Sequence, residues 1–207
     1  MTPLPRQGLY ALTDSLLLSG NPVSAVESAI RGGATVIQYR DKGTDDKQRR
    51  EEAEALLTVC RAHGTPLIIN DDVELAAAIG ADGVHIGKHD LPLSIARERL
   101  GARGIIGVSC YNAIENAERA QREGADYVAF GRFFPSHTKP LATPVTIGQL
   151  AKFRHHVHLP IVAIGGITPE NGASLLTAGA DFLAVIHGVF GQPDVEMAAR
   201  EYAMLFA

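Results

Sequence analysis

The stretch Leu67–Asp90, LIINDDVELAAAIGADGVHIGKHD, decides the fold of this chain. It holds two short apolar runs, Leu67–Ile69 and Gly83–Ile86, and polar and acidic residues follow both of them. The alanine-rich segment Val73–Ile79 between the runs is typical of a short helix, so the stretch predicts strand, helix, strand, with both strands buried and parallel. Parallel strands end at the same edge of a sheet, where carboxylates that follow them can share a divalent cation.

The same alternation of apolar run and helical segment recurs along the whole chain. The apolar runs are Leu9–Thr13, Val36–Tyr39, Leu67–Ile69, Gly83–Ile86, Ile105–Val108, Tyr127–Phe130, Ile161–Ile164 and Phe182–Ile186. The helical segments are Val23–Arg31, Asp45–His63, Val73–Ile79, Pro92–Leu100, Ala113–Glu123, Ile147–His155, Pro169–Ala178 and a segment after Phe190. Eight alternations predict an α/β protein, a single-domain (β/α)8 TIM barrel over residues 1–207, with an open doubly wound sheet as the alternative.

Local signals support this count. A weak repeat, Gly-Ala-Asp or Gly-Ala-Thr, stands before each even-numbered strand and begins at Gly33, Gly80, Gly124 and Gly179. A glycine at these positions fits a helix C-cap. Thr168 followed by Pro169 predicts a helix start, and Thr44 is a candidate cap of the long second helix. In a barrel, the chemistry is expected on residues that directly follow the strands.

The composition limits the class of protein. The chain has 207 residues, is 46% hydrophobic and has a net charge of −4, which argues against a nucleic-acid or membrane partner but leaves room for a local basic pocket. Cys60 and Cys110 lack the spacing of a disulfide framework or a zinc site. The N-terminus has no apolar signal core, and no run approaches the roughly 18 apolar residues of a membrane span. A cytoplasmic protein is expected.

The segment Gln38-Tyr-Arg-Asp-Lys-Gly43 follows the second strand. Arg40 and Lys42 lie on one side of an extended chain, a spacing that suits an anion with several oxygens. The alternative is a solvated loop with surface charges.

Acidic residues follow the third and fourth strands. Asp71 and Asp90 are the candidate metal ligands, and Asn70 is a candidate substrate ligand. Oxygen ligands without cysteine favour Mg²⁺ over zinc. Asp72 is predicted to cap the next helix, a role also open to Asp90. His85, inside the fourth strand, is interpreted as a hydrogen-bonded core residue.

The later strand ends carry further candidates. Ser109 ends the fifth strand, where its hydroxyl can bind a phosphate or a ring nitrogen or simply turn the chain. The long loop over 131–140 contains the donors Ser136, Thr138 and Lys139, beside two aromatic residues, and predicts a binding loop or lid. Gly165-Gly166-Ile167 and Ile186-His187-Gly188 follow strands seven and eight, where barrels bind phosphate.

With these motifs assembled, the chain resembles the thiamine phosphate synthase family over nearly its whole length. The matching segments are YALTD, GGATVIQYRDKG, LIINDD, ADGVHIGKHD, GVS, the FGRFF-x-S-x-TK loop, VAIGGI and GADFLAVI. The resemblance implies a (β/α)8 barrel that condenses 4-amino-2-methyl-5-(diphosphooxymethyl)pyrimidine with a plain or carboxylated thiazole phosphate. The products it implies are thiamine phosphate and diphosphate, with Mg²⁺ as cofactor.

The resemblance also implies residue roles. It assigns the pyrimidine diphosphate to Gln38, Tyr39, Arg40, Asp41, Lys42, Asn70, Ser109 and Lys139, and Mg²⁺ to Asp71 and Asp90. It assigns the thiazole phosphate to Ser136, His137, Thr138, Gly166, Ile186 and His187. Catalytic roles are expected for Arg40, Lys42, Ser109 and Lys139. The chain departs from the family pattern at Arg132, in the loop at Ser136, and at His187, where a serine is commoner.

The expected mechanism is a dissociative substitution, in which preorganised positive charge stabilises the departing diphosphate. A thiazole tautomerase-like barrel without synthase activity is the nearest alternative, and an inactive phosphate-binding regulator is another. A Schiff-base aldolase is disfavoured because the sixth strand contains no lysine. The expected partners are the two small-molecule substrates, with a homodimer left open.

Overall fold

A computed structural model describes residues 1–18, 21–135 and 143–207. Eight parallel strands form one closed barrel in sequence order, which confirms the predicted (β/α)8 TIM barrel and excludes the open sheet. The strands are β1 (Gly8–Leu12), β2 (Ala34–Tyr39), β3 (Leu67–Asn70), β4 (Gly83–Ile86), β5 (Ile105–Tyr111), β6 (Tyr127–Gly131), β7 (Ile161–Ile164) and β8 (Phe182–Val185).

Helices alternate with these strands. They are α1 (Pro22–Arg31), α2 (Asp46–Ala62), α3 (Val73–Ile79), α4 (Leu93–Leu100), α5 (Ile114–Glu123), α6 (Ile147–Arg154), α7 (Pro169–Thr177), α8 (His187–Phe190) and α9 (Val195–Ala203), followed by a 3-10 turn at Met204–Phe206. Within the described ranges, no helix is both long enough and apolar enough to cross a membrane.

The helix starts test the predicted caps. The Asp72 side chain accepts the Leu75 N–H at 2.9 Å, which confirms Asp72 as the cap of α3. Thr44 is wrong as the cap of α2, because Asp45 takes that position and accepts the Gln48 N–H at 3.0 Å. Residue 92, not Asp90, holds the cap position of α4.

The end of the chain differs from its prediction. The helix expected after Phe190 is present as α9, but an additional four-residue helix, α8, begins at His187, and Ile186 caps it instead of ending β8. Strand β5 also runs three residues beyond its predicted end at Val108. Both differences lie at the carboxyl edge of the barrel.

Two hydrophobic layers stabilise the barrel. Alternate strand residues fill its interior, among them Tyr10, Val36, Ile68, Tyr127 and Phe182. The intervening residues pack outward against the helices. This two-residue period follows from the pleat of a strand, which sends successive side chains to opposite faces. Both cysteines are free and buried in the outer layer, so the structure contains no disulfide.

The Gly-Ala-Asp repeat connects neighbouring strands by hydrogen bonds at the amino end of the barrel. Gly80 and Gly124 cap their helices in the left-handed conformation, as predicted, with φ of 69° and 88°. Each aspartate then accepts the backbone N–H of a residue in the preceding strand while its own N–H donates to the carbonyl of that residue. The carboxylate contacts are Asp82 with Leu67 (3.0 Å), Asp126 with Ile106 (2.8 Å) and Asp181 with Ile161 (2.7 Å).

Candidate active site

A cavity of about 820 Å³ opens at the carboxyl ends of the strands. Its walls include apolar barrel residues and seven of the predicted site residues, namely Gln38, Arg40, Asn70, Ser109, Gly166, Ile186 and His187. These residues come from five different strands or strand ends, and only closure of the barrel brings them together. The location agrees with the general rule that (β/α)8 barrels carry their sites at this face.

Arg40 is held at the cavity wall by the end of β1. Its guanidinium forms an ion pair with Asp14 at 3.0 Å, and its N–H donates to the Thr13 hydroxyl at 2.8 Å. Both side chains of the ion pair are less than one-fifth exposed. Arg40 is therefore a fixed positive charge whose remaining N–H groups can bind an anion.

Tyr39 and Asp41 alternate with Arg40 and point elsewhere. The Tyr39 hydroxyl donates to Glu52 on α2 at 3.0 Å, outside the barrel. Asp41 accepts the Gly43 N–H at 2.9 Å and shapes its own loop. Burial by itself raises the pKa of Asp41, but the hydrogen bonds from the Gly43 and Lys42 amides and the Ser15 hydroxyl, with nearby Arg49, lower it overall. Neither side chain is among those that line the cavity.

Asp71 and Asp90 lie beside the cavity and not in its lining, in the loops that follow β3 and β4. They share a shallow depression, and their carboxyl groups hydrogen-bond to each other. Lys42 Nζ lies 2.5 Å from Asp71 Oδ2, and the Gly87 N–H donates to Asp90 Oδ2 at 2.6 Å. Asp71 has a positive φ of 64°, uncommon for a residue with a side chain, and such conformations concentrate at functional sites.

The two acids differ in proton affinity. Burial raises the pKa of Asp90, and the neighbouring Asp71 carboxylate raises it further, against the lowering effect of the Gly87 N–H. Burial also acts to raise the pKa of Asp71, but the Lys42 ammonium, the hydrogen bond with Asp90 and nearby His85 together lower the pKa of Asp71. One proton or cation is thus favoured between the two carboxylates.

This pair fits a hard divalent cation. The carboxylate oxygens are suitable ligands, and the Lys42 ammonium already balances charge at Asp71. Two acids alone would leave a cation needing water or substrate oxygens, which is usual for Mg²⁺. Among the residues described, no cluster of three or more His, Cys, Asp or Glu side chains forms a complete protein cage for a metal.

Ser109 belongs to a hydrogen-bonded chain inside the barrel. Ser109 Oγ lies 2.8 Å from Nε2 of His85, and Nδ1 of His85 lies 2.9 Å from the Tyr127 hydroxyl. The Tyr127 hydroxyl is 2.7 Å from that of Tyr10, which accepts from Gln38 Nε2 at 2.9 Å. Two predicted site residues, Gln38 and Ser109, are therefore the ends of one network.

Burial keeps the two tyrosines of this network protonated. Desolvation raises the pKa of Tyr10 above its ordinary value, although the hydrogen bonds with Tyr127 and Gln38 act to lower it. Desolvation also raises the pKa of Tyr127, and its proximity to Tyr10 adds to the effect. Both phenols are consequently neutral hydroxyls at any ordinary pH.

The glycine pair after β7 lies against the loop that follows β6. Gly165 and Gly166 have φ of 107° and 65°, which favour glycine. A Cβ on Gly166 would lie 2.3 Å from the Pro135 carbonyl oxygen, so a side chain has no room there. Ile186 and the exposed His187 stand beside this turn at the start of α8. Backbone from two strand ends therefore borders the cavity where the phosphate was predicted.

Four predicted residues, Ser136, His137, Thr138 and Lys139, lie outside the described residues. Their assignments stay predictions. Arg132, which precedes them, lines the cavity and accepts the Val145 N–H at its carbonyl oxygen.

Four residues that line the cavity were not among the predicted site residues. Tyr10 and Tyr127 had no predicted role, and His85 was interpreted only as a core residue, which its burial and hydrogen bonds confirm. Tyr111, with φ of 57°, also lines the cavity, and its hydroxyl accepts the Lys88 N–H in the loop that carries Asp90. The available signal was strand alternation, since Tyr10 and His85 share the inward face with Leu12 and Gly83.

The closed barrel and the cavity at its carboxyl edge define a class: a single-domain (β/α)8 barrel enzyme. A family model described as thiamine monophosphate synthase matches residues 9–189. The chain belongs to the thiamine monophosphate synthase family.

Individual relatives agree with this membership. The chain is 50% identical over 201 residues to the thiamine-phosphate synthase of Nitrosococcus oceani, covering 97% of this chain and 93% of that protein. It is 48% identical over 204 residues to the enzyme of the same name from Methylococcus capsulatus, covering 99% and 91%. Among solved structures, the thiamine phosphate pyrophosphorylase from Pyrococcus furiosus superposes with a TM-score of 0.88 and 35% identity, covering 97% of this chain and 95% of that one.

Proposed function

We infer that this chain is a thiamine-phosphate synthase, a transferase that joins a pyrimidinylmethyl group to a thiazole phosphate and releases diphosphate. Besides family membership, one observation carries the inference. Lys42, from the loop after β2, touches Asp71, which pairs with Asp90 after β4, so that an ammonium group meets two carboxylates that could hold a divalent cation. A diphosphate that binds through a divalent cation requires this combination.

The leaving group sets the main demand on the site. Breaking the bond from the pyrimidine methylene carbon to diphosphate places negative charge on the departing oxygens. Arg40, fixed by Asp14, and Lys42 stabilise that charge, and Lys139 is predicted to join them. Asp71 and Asp90 would hold Mg²⁺, which when bound supplies further positive charge to the diphosphate.

The barrel interior protects the electrophile. The methylene carbon becomes positively charged as diphosphate leaves, and water would trap it. The cavity wall around Gln38 and Ser109 includes Ala129, Val162 and Ala184, all of which are buried. An apolar wall that excludes water favours capture by the thiazole nitrogen over hydrolysis. Gln38 and Ser109 orient the pyrimidine or its diphosphate.

The thiazole phosphate is assigned to the opposite side of the cavity. Gly166, Ile186 and His187 border that side with backbone from two strand ends. Ser136, His137 and Thr138 are predicted to complete the phosphate site. Holding the phosphate there places the thiazole nitrogen toward the methylene carbon, and such positioning can supply several kcal/mol of the barrier.

The partners follow from this chemistry. Both substrates are small molecules. A homodimer and a cytoplasmic location stay predictions, which analytical ultracentrifugation and cell fractionation can test.

The experiment is a diphosphate-release assay with both substrates, in Mg²⁺ and in excess EDTA. We expect thiamine phosphate and diphosphate in equal amounts, formed only with Mg²⁺. Asp71→Ala and Lys139→Ala should each lower kcat/KM by at least about 100-fold, as loss of an electrostatic group does. Glu123→Ala and Lys152→Ala remove exposed charges far from the cavity and serve as controls. Undiminished activity of Asp71→Ala would contradict the assignment, and thiazole isomerisation without condensation would favour the tautomerase alternative.

A further inference from the structure

Five side chains form an unbroken hydrogen-bonded chain across the barrel interior: Gln38, Tyr10, Tyr127, His85 and Ser109. The four links measure 2.9, 2.7, 2.9 and 2.8 Å in that order. Tyr10 and Tyr127 are at most 1% exposed. All five side chains line the cavity, and Gln38 and Ser109 are the two ends of the network.

Counting protons gives this chain a direction. The Gln38 amide donates to the Tyr10 oxygen, so the single Tyr10 proton is available for Tyr127. Tyr127 then accepts from Tyr10, and its own proton points to Nδ1 of His85. Because Nδ1 accepts, a neutral imidazole carries its proton on Nε2 and donates it to Ser109. The Ser109 proton remains for another acceptor.

The opposite direction is disfavoured at Tyr10. If Ser109 donated to His85, or if His85 were doubly protonated, Nδ1–H would donate to Tyr127, and Tyr127 would have to donate to Tyr10. The Tyr10 oxygen would then accept from both Tyr127 and Gln38, and its own buried proton would need a further acceptor. Among the described residues, the hydrogen-bond partners of the Tyr10 hydroxyl are Tyr127 and Gln38, and neither would accept that proton. An unsatisfied buried hydroxyl costs on the order of 1–3 kcal/mol.

We propose that Tyr10, Tyr127 and His85 are positioning residues. Tyr10 and Tyr127 hold His85 as its Nε2–H tautomer, and His85 in turn sets Ser109 as a hydrogen-bond donor into the cavity. The role of Ser109 toward substrate rests on the proposed function; the tautomer of His85 does not.

Aromatic packing holds the side chains of this hydrogen-bonded network in place. The His85 ring stacks on Tyr127 with centroids 5.5 Å apart and an interplanar angle of 24°. Tyr127 and Phe182 both pack edge-on against Tyr10. Gly107 lies directly under Tyr127, where a Cβ would be 1.9 Å from Cζ. The ring positions are therefore fixed without bound substrate, which is the preorganisation that catalysis needs.

A Ser109 donor matches the chemistry expected at this position. An anionic diphosphate oxygen or a ring nitrogen of the pyrimidine offers only acceptors to a serine. The donation from His85 to the Ser109 oxygen also polarises its O–H, because linked hydrogen bonds strengthen one another in a low dielectric. A serine whose proton was engaged by His85 would instead present lone pairs to an anion and repel it.

The test is the ¹⁵N NMR spectrum of the His85 ring in the ligand-free protein. We expect a protonated, pyrrole-type Nε2 and an unprotonated, pyridine-type Nδ1. Tyr127→Phe removes the donor to Nδ1 and should shift or average these two signals. Tyr202→Phe is the matched control, because its buried hydroxyl donates to the Ile167 carbonyl and does not contact His85. A wild-type Nδ1–H tautomer, or signals unmoved by Tyr127→Phe, would overturn the proposal.

Kinetics form the second arm. We expect Tyr127→Phe to lower kcat/KM for the pyrimidine substrate about 10-fold or more, as loss of an orienting partner commonly does. His85→Gln, whose amide can still donate to Ser109, should retain more activity than His85→Leu; equal losses would contradict the proposal. If the wild type lacks synthase activity altogether, the proposed function fails. The NMR result alone then decides the direction in which the hydrogen bonds run from Gln38 to Ser109.

Discussion

Gly107 shows how a single residue can decide the geometry of the site. It faces the barrel interior in β5, and Tyr127 from β6 occupies the space that any side chain there would need. The tyrosine hydroxyl in turn contacts both Tyr10 and His85. A residue with no functional group is thus required for the hydrogen bonds of three others.

We predict that Gly107→Ala destabilises the protein by about 1–3 kcal/mol, the usual cost of overpacking a core. Its Cβ would also displace Tyr127 and lower kcat/KM. Urea unfolding and steady-state kinetics measure the two effects. Gly148→Ala is the control, because nothing lies within 4 Å of its Cβ and alanine favours helix, so stability should be unchanged or slightly higher. Equal stability of the two variants would refute the overpacking argument.

Asp90 makes the stability of the protein depend on pH, and the direction of its pKa shift gives the sign of that dependence. The pKa of Asp90 is raised in the folded protein by burial and by Asp71. The folded state therefore holds this proton more tightly than the unfolded state, and its stabilising effect is lost as pH rises through the raised pKa.

We predict that Asp90→Asn is more stable than the wild type at pH 7 without Mg²⁺, by less than about 1 kcal/mol because solvent screens the half-exposed pair. The difference should shrink as pH falls through the raised pKa, and vanish once the carboxyl is protonated in both the folded and the unfolded state. Adding Mg²⁺ should stabilise the wild type alone. Urea titrations with and without Mg²⁺ measure this, and a less stable variant at pH 7 without metal would disprove it.

At the scale of elements, the two ends of the strands have different roles: the amino ends carry stabilising contacts and the carboxyl ends carry the residues of the cavity. The Gly-Ala-Asp turns carry carboxylates at the amino end, where each aspartate joins two neighbouring strands. Asp181 also forms an ion pair with Arg154 of α6 at 3.0 Å, which ties a helix to the same point. The carboxyl ends instead carry residues that face the cavity. Stability and chemistry consequently lie at opposite edges of the same strands.

We predict that Asp181→Ala lowers the free energy of unfolding by about 1–3 kcal/mol, since it leaves the Ile161 N–H without its carboxylate acceptor. KM should stay near the wild-type value because the cavity is at the other edge. Chemical denaturation and kinetics at a temperature where both proteins are folded provide the measurement. Glu123→Ala, with an exposed carboxylate, should change stability by less than about 0.5 kcal/mol. A large KM change for Asp181→Ala would argue against this division.

At the scale of the whole molecule, the register of three neighbouring strands creates the proposed diphosphate site. Lys42 follows β2, Asp71 follows β3 and Asp90 follows β4, so their contact depends on three strands in register. A ligand that binds there should stabilise the entire folded chain by mass action.

We predict that inorganic diphosphate with Mg²⁺ raises the melting temperature, whereas diphosphate with EDTA does not. Ligand at 100 times its Kd contributes about 2.7 kcal/mol, or roughly 5–10 °C for a chain of this length. Lys42→Ala should lose most of the shift, and Lys47→Ala, which is 85% exposed on α2, should retain it. Differential scanning fluorimetry is sufficient; an equal shift in both variants would contradict the placement of Lys42.

The sequence by itself determined the eight strands, their order and the residues at their ends, because hydrophobic period, glycine turns and helix caps are local properties of the chain. It identified Arg40, Asp71 and Ser109 as candidates for the same reason. Only the tertiary structure decided that Lys42 touches Asp71 and that Gln38 and Ser109 are ends of one chain through Tyr10, Tyr127 and His85. Such contacts join residues up to 117 positions apart, and their geometry depends on how the closed barrel packs its interior, which no local pattern records.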